Sequence, residues 1–142
     1  MKASPIPTGK KKPGQANKDE ILFILRGFVP ADMIKVEHRF HPVRMWRFDY
    51  AMPSKMLAIE YHGHAGFVGK GVSGHSTIKG LTNDCEKLNS AQAAGWTVLA
   101  FTALHFKPVD RLKHKLTSPY DTIKAAIGRL DSMEAESQPS LF

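Results

Sequence analysis

Three short alternating segments, parted by proline-containing turns, constrain the fold of this chain more than any other feature. Lys35–Phe40 sets Val36, His38 and Phe40 against Lys35, Glu37 and Arg39. Met45–Tyr50 sets Met45, Arg47 and Asp49 against Trp46, Phe48 and Tyr50. Lys55–Tyr61 carries Leu57, Ile59 and Tyr61 on one face and Ala58 and Glu60 on the other. A period of two is the pattern of a strand. His41-Pro42 and Met52-Pro53-Ser54-Lys55 are turn sequences too short to carry a crossover. The expectation is therefore an antiparallel meander.

Helical segments flank it. Asp19–Gly27 reads as a short helix, though its β-branched and aromatic residues leave a strand open. Leu81–Ala94 is the clearest helix, with Leu81, Cys85, Leu88 and Gln92 on one stripe and Gly95 as the stop. On that stripe Cys85 reads as a small hydrophobe. Trp96–Thr102 is a buried strand, with Trp96 in the core. Pro119–Met133 is a last helix, with Ile123, Ala126, Ile127 and Leu130 on its apolar side. Between the meander and the clearest helix, Gly63–Gly80 holds six glycines and reads as one long loop. The predicted class is α/β, a mixed sheet made of an antiparallel meander plus a parallel strand, flanked by helices. Residues 1–18 read as a flexible basic arm, 19–133 as one domain and 134–142 as a frayed tail.

Of the 142 residues, 20 are Lys or Arg and 13 are Asp or Glu, a formal charge of +7. This balance suits a polyanion, and nucleic acid ahead of a membrane surface, because no basic helix with a strong apolar face is evident. No run of about 18 apolar residues occurs, so no spanning helix is expected. The first residues lack the apolar core of a secretory signal. The single cysteine excludes an internal disulfide and fits a reducing, cytoplasmic setting. The sequence lacks a P-loop pattern, which argues against nucleotide hydrolysis. Lys10, Lys11 and Lys12 in the arm, with Arg44, Arg47, Lys70 and Lys79, are the candidate phosphate contacts.

Two carboxylates stand out. Asp49 and Glu60 lie in otherwise apolar strand sequences, where an uncompensated carboxylate is costly. A hairpin centred near Pro53-Ser54 sets Asp49 opposite Glu60, close enough to share one ion. Magnesium takes a few carboxylates, completed by water and phosphate oxygens. The competing reading pairs each acid with an arginine such as Arg39, Arg44 or Arg47. A zinc site from His62, His64 and His75 is a weaker alternative, since no Cys-x-x-Cys accompanies them.

Phe48-Asp49, a turn, then Ile59-Glu60-Tyr61-His62 resembles the core of the PD-(D/E)XK nuclease superfamily. Gly74-His75-Ser76-Thr77, Asp84-Cys85-Glu86-Lys87-Leu88-Asn89 and Gly95-Trp96-Thr97-Val98-Leu99 extend the likeness to small phage and prophage nucleases similar to very-short-patch-repair endonucleases. The match spans about Val36 to Thr102. It implies a restriction-endonuclease-like fold and a Mg²⁺-dependent (or Mn²⁺-dependent) DNA endonuclease, structure-specific or mismatch-directed, of phage or mobile-element type. Its substrate would be duplex, branched or mismatched DNA, and symmetric cutting of two strands would call for a homodimer.

The resemblance also assigns roles. Asp49, Glu60 and the Tyr61 carbonyl would bind the metal. His75 would be a loop acid or base. One departure is clear: the superfamily usually has lysine two residues after the second acid, and here that residue is His62. Either His62 takes the lysine's role or Lys87 reaches the site from its helix. The departure also admits an alternative: a non-catalytic nucleic-acid-binding protein that keeps the nuclease fold.

Overall fold

The computed structural model describes residues 12–63 and 77–137. Its centre is a four-stranded mixed sheet of β1 (Lys35–Arg39), β2 (Arg47–Met52), β3 (Leu57–His62) and β4 (Thr97–Thr102), in that spatial order. β1, β2 and β3 pair antiparallel in sequence, and β4 lies parallel to β3. The helices are α1 (Gln15–Phe28), α2 (Ile78–Ala93), α3 (Pro108–His114) and α4 (Pro119–Ser137). The α/β class is as expected, with the meander predicted from the alternation and the added parallel strand from the apolar run Trp96–Thr102.

Both faces of the sheet are covered, which explains why Leu57, Ala58 and Ile59 are all buried in succession. On one face Leu57, Ile59, Tyr50, Met52 and Phe101 pack with Ile21 and Leu25 of α1 and Ile123 and Ile127 of α4. On the other, Ala51, Ala58 and Phe48 pack with Ala91 of α2 and with Trp96. Phe101, 2% exposed, sits in the larger cluster. Phe101→Ala is expected to destabilise the fold by about 3–5 kcal/mol, through lost burial and a residual cavity, measured by urea unfolding. A loss under about 1 kcal/mol would mean that this cluster is not the core.

Several boundaries differ from expectation. α1 begins at Gln15, four residues early, because Gly14 at φ 80° turns the chain in and the Gln15 amide side chain bonds Asp19 one turn on. The Lys12–Lys18 part of the expected arm is therefore mostly helix. α2 begins at Ile78, where Thr77 caps the helix by accepting the Gly80 amide, so Gly80 is helical and not loop. α4 runs to Ser137, into the expected tail. β2 runs on to Met52, and a 3₁₀ turn (Pro53–Lys55) carries the hairpin. α3 has no counterpart in the periodicity.

The α2 stripe is the largest correction. Only Ala91 of this helix is buried, whereas Leu81 is 52% exposed, Leu88 45% exposed and Cys85 exposed. α2 meets the sheet near its C-terminal end. Toward its N-terminus its apolar side lines an open cleft instead of the core.

Candidate active site

The register places the two acids together. Tyr50 pairs with Ile59, Ala51 with Ala58 and Met52 with Leu57. One step further along the same register, Asp49 faces Glu60. The ladder ends there, because the Tyr61 amide donates to Asp49 Oδ2 at 2.7 Å and not to a β2 carbonyl. The neighbouring strand is distorted in the same row: Glu37, between the paired residues Val36 and His38, has φ 51°. A non-glycine residue in that region costs on the order of 1–2 kcal/mol. Strict alternation also fails here, since Phe48 packs on the α2 side and Tyr50 on the α1–α4 side. The distortion lets the Asp49 carboxylate reach the end of β3.

Each acid has an ammonium partner. Lys87 of α2 donates to Glu60 Oε1 and also to the Arg47 carbonyl, with its ammonium 5.8 Å from the Phe48 ring centre. Lys18 of α1 lies 3.5 Å from Asp49 Oδ1. Lysines thus take the place expected of Arg39, Arg44 or Arg47: the arginines sit on the exposed hairpin rim, while Lys87 and Lys18 come from helices on opposite faces of the sheet. Asn17 donates to Tyr61 Oη at 2.8 Å, and a Cβ at Gly14 would come within 2.8 Å of the Tyr61 ring. The start of α1 is therefore packed against the strand end that carries the acids.

Asp49, Glu60, Tyr61 and His62 face Lys87, Asp84, Cys85, Leu81 and Leu88 of α2 across a cleft of about 680 Å³. Glu60 is pushed up to about 7, first by burial and then by the charges of Asp49 and Glu37, against the downward pull of the Lys87 hydrogen bond and charge. The unfolded chain releases this proton near 4.5, whereas folded Glu60 holds it to about 7. The folded state binds more protons between those values, so stability falls as pH rises through that window and levels off above it. Thermal melts should show this decline in the wild type and a weaker one in Glu60→Gln. Equal slopes in the two proteins would place the titration elsewhere.

The fold brings Asp49, Glu60, Tyr61, His62 and Lys87 to one cleft. Arg47 enters through its carbonyl, and its side chain is exposed. Arg44 lies on the hairpin rim, 4.2 Å over the Trp46 ring and bonded to Asn83 of α2. Trp46 is half-buried, while Trp96 is in the core. Lys79 is exposed in the first turn of α2, and Lys12 is exposed just ahead of α1. Lys10, Lys11, Lys70, His64 and His75 lie outside the described residues. Lys18 was missed by the sequence reading. It lies three residues before the buried Ile21 on the same face of α1, a relation that shows only once the helix is known to start before Lys18.

Among the described residues, no three His, Cys, Asp or Glu side chains form a set for a metal ion. Two neighbouring carboxylates in an open cleft still fit Mg²⁺ or Mn²⁺, which accept one or two protein acids and complete their shell with water and phosphate. Among the described residues no helix is long and apolar enough to cross a membrane. No family model matches the chain, and no characterised protein or solved structure was found similar to it.

Proposed function

We propose that this chain is a metal-dependent endonuclease that hydrolyses phosphodiester bonds in DNA. The observation that carries the reading is the acid–acid–lysine set of Asp49, Glu60 and Lys87, drawn from β2, β3 and α2 into one cleft. The PD-(D/E)XK likeness calls for these three chemistries, and Lys87 supplies the lysine that His62 replaces in the strand motif. A cytoplasmic location accords with the free thiol.

Asp49 and Glu60, with the Tyr61 carbonyl, would hold the metal. When bound, such an ion supplies Lewis-acid activation of a water and of the scissile phosphate. The residues of the chain do the rest. The Tyr61 amide fixes Asp49 Oδ2 and leaves Oδ1 toward a cation, a place now beside the Lys18 ammonium. Lys87, oriented by the Arg47 carbonyl, offers a positive charge to an attacking water or to the charge that develops on phosphorus oxygens. His62, exposed at the mouth of the cleft, is the second candidate for proton transfer. Glu60 must be ionised to hold the metal, so metal binding by the free protein should strengthen as pH rises toward about 7.

The two carboxylate–ammonium pairs favour a second reading, in which the lysines neutralise the acids and the protein binds DNA without cutting it. Labelled linear, nicked, mismatched, four-way and single-stranded DNAs, incubated with Mg²⁺, Mn²⁺ or EDTA, separate the two. Metal-dependent cutting of any substrate supports the nuclease. Salt-sensitive binding with no cutting under every metal supports the second reading.

A further inference from the structure

We infer that the segment 107–115, built around α3, is a phosphate-binding surface for the nucleic-acid backbone beyond the strand ends that carry Glu60 and His62. The inference rests on the proposal that nucleic acid occupies the cleft. α3 follows β4 through a 3₁₀ turn (Ala103–Phe106) beyond the C-terminal ends of β3 and β4, the end that carries Glu60 and His62. Phe106, two residues before α3, packs edge-on against Tyr61 at 5.7 Å between ring centres. Tyr61 is the residue whose amide fixes Asp49. The segment is thus joined to the acid pair through one aromatic contact.

Its composition does not serve the core. α3 contains no buried residue, and Val109 and Leu112 are 77% and 83% exposed. Seven residues are too few for a stable isolated helix. This one is held by the Arg111 guanidinium, which donates to the His105 carbonyl at 2.8 Å, and by a C-terminal turn with Lys115 at φ 55°. The segment carries Lys107, Arg111, Lys113 and Lys115 against the single acid Asp110, a net +3. All three lysines are exposed. A positive surface beyond the strand ends, joined through Phe106 to Tyr61 of the cleft lining, complements a polyanion that runs past those ends. A bilayer fits less well, since two apolar side chains give little to insert.

The test is DNA binding in EDTA by the full chain, with a labelled duplex titrated at several salt concentrations. Lys113→Gln/Lys115→Gln is compared with Lys35→Gln/Lys124→Gln, which removes two exposed lysines from β1 and α4. Loss of two phosphate contacts should lower the log–log salt slope by about 2 and weaken binding roughly tenfold, with the control near wild type. An unchanged slope, an equal loss in the control, or no DNA binding by the wild type would overturn the inference. So would wild-type binding to phosphatidylserine vesicles that the variant loses while its DNA binding is intact. Because EDTA removes cleavage from the readout, the outcomes separate: a lowered slope without any metal-dependent cutting sinks only the nuclease, and cutting with an unchanged slope sinks only this surface.

Discussion

Replacing Lys87 with methionine is expected to slow DNA cleavage by about 10²–10³-fold, the usual loss when one charged stabiliser of the transition state is removed. Duplex affinity should stay within about threefold, since a single charge contributes little to the salt-dependent term. Methionine keeps the length of the side chain and its contact with Phe48, so the α2 packing survives. What disappears is the ammonium between Glu60 and the Arg47 carbonyl. The Lys87 hydrogen bond and charge are what draw Glu60 down. Without them Glu60 moves further up, and the pH–rate profile, read at subsaturating metal where Glu60 must ionise to bind it, shifts to higher pH. Lys87→Arg, which keeps the charge, should restore the profile in part. Full activity with an unshifted profile in the methionine variant would hand the role to His62.

Asp49→Asn is expected to cost about a thousandfold or more in cleavage, several kcal/mol of metal-dependent stabilisation, while binding is kept or strengthened. The amide oxygen of asparagine can still accept from the Tyr61 amide, so the end of β3 keeps its geometry. Only the negative charge is removed. Lys18 then loses its partner and becomes available to phosphate. Single-turnover cleavage and duplex binding, measured on the same preparation, check both halves of this expectation. Retained cleavage would remove Asp49 from the site.

The hairpin and its acid pair were legible in the sequence because two strands and a short turn fix a register, and a register fixes which residues face one another. The parallel β4 was legible from its apolar run after a helix. Lys87 was legible only as one of two choices: periodicity tells which face of a helix a residue is on, and says little about how close that face lies to a sheet. The same limit misread the α2 stripe. Leu81, Cys85 and Leu88 share a face as expected, but that face borders a cleft because the helix stands off from the sheet. Lys18 was hidden by the Pro13-Gly14 start, which reads as arm, although Gly14 is where the helix turns in. α3 left no trace, since Lys107–Lys115 has dense charge and no residue that the fold buries. The distortion at Glu37 and Asp49 was likewise invisible, because it arises from contacts between strands and not from local preference.

The most direct test of the acid pair needs no knowledge of the DNA substrate. Mn²⁺ binding, followed by loss of the free-ion electron paramagnetic resonance signal, would be measured for the wild type, Asp49→Asn and Glu60→Gln at a pH above 7, where Glu60 is ionised. The expected result is one site in the wild type that either substitution weakens by at least about tenfold. No binding by the wild type, or binding unchanged in both variants, would contradict the metal-dependent nuclease.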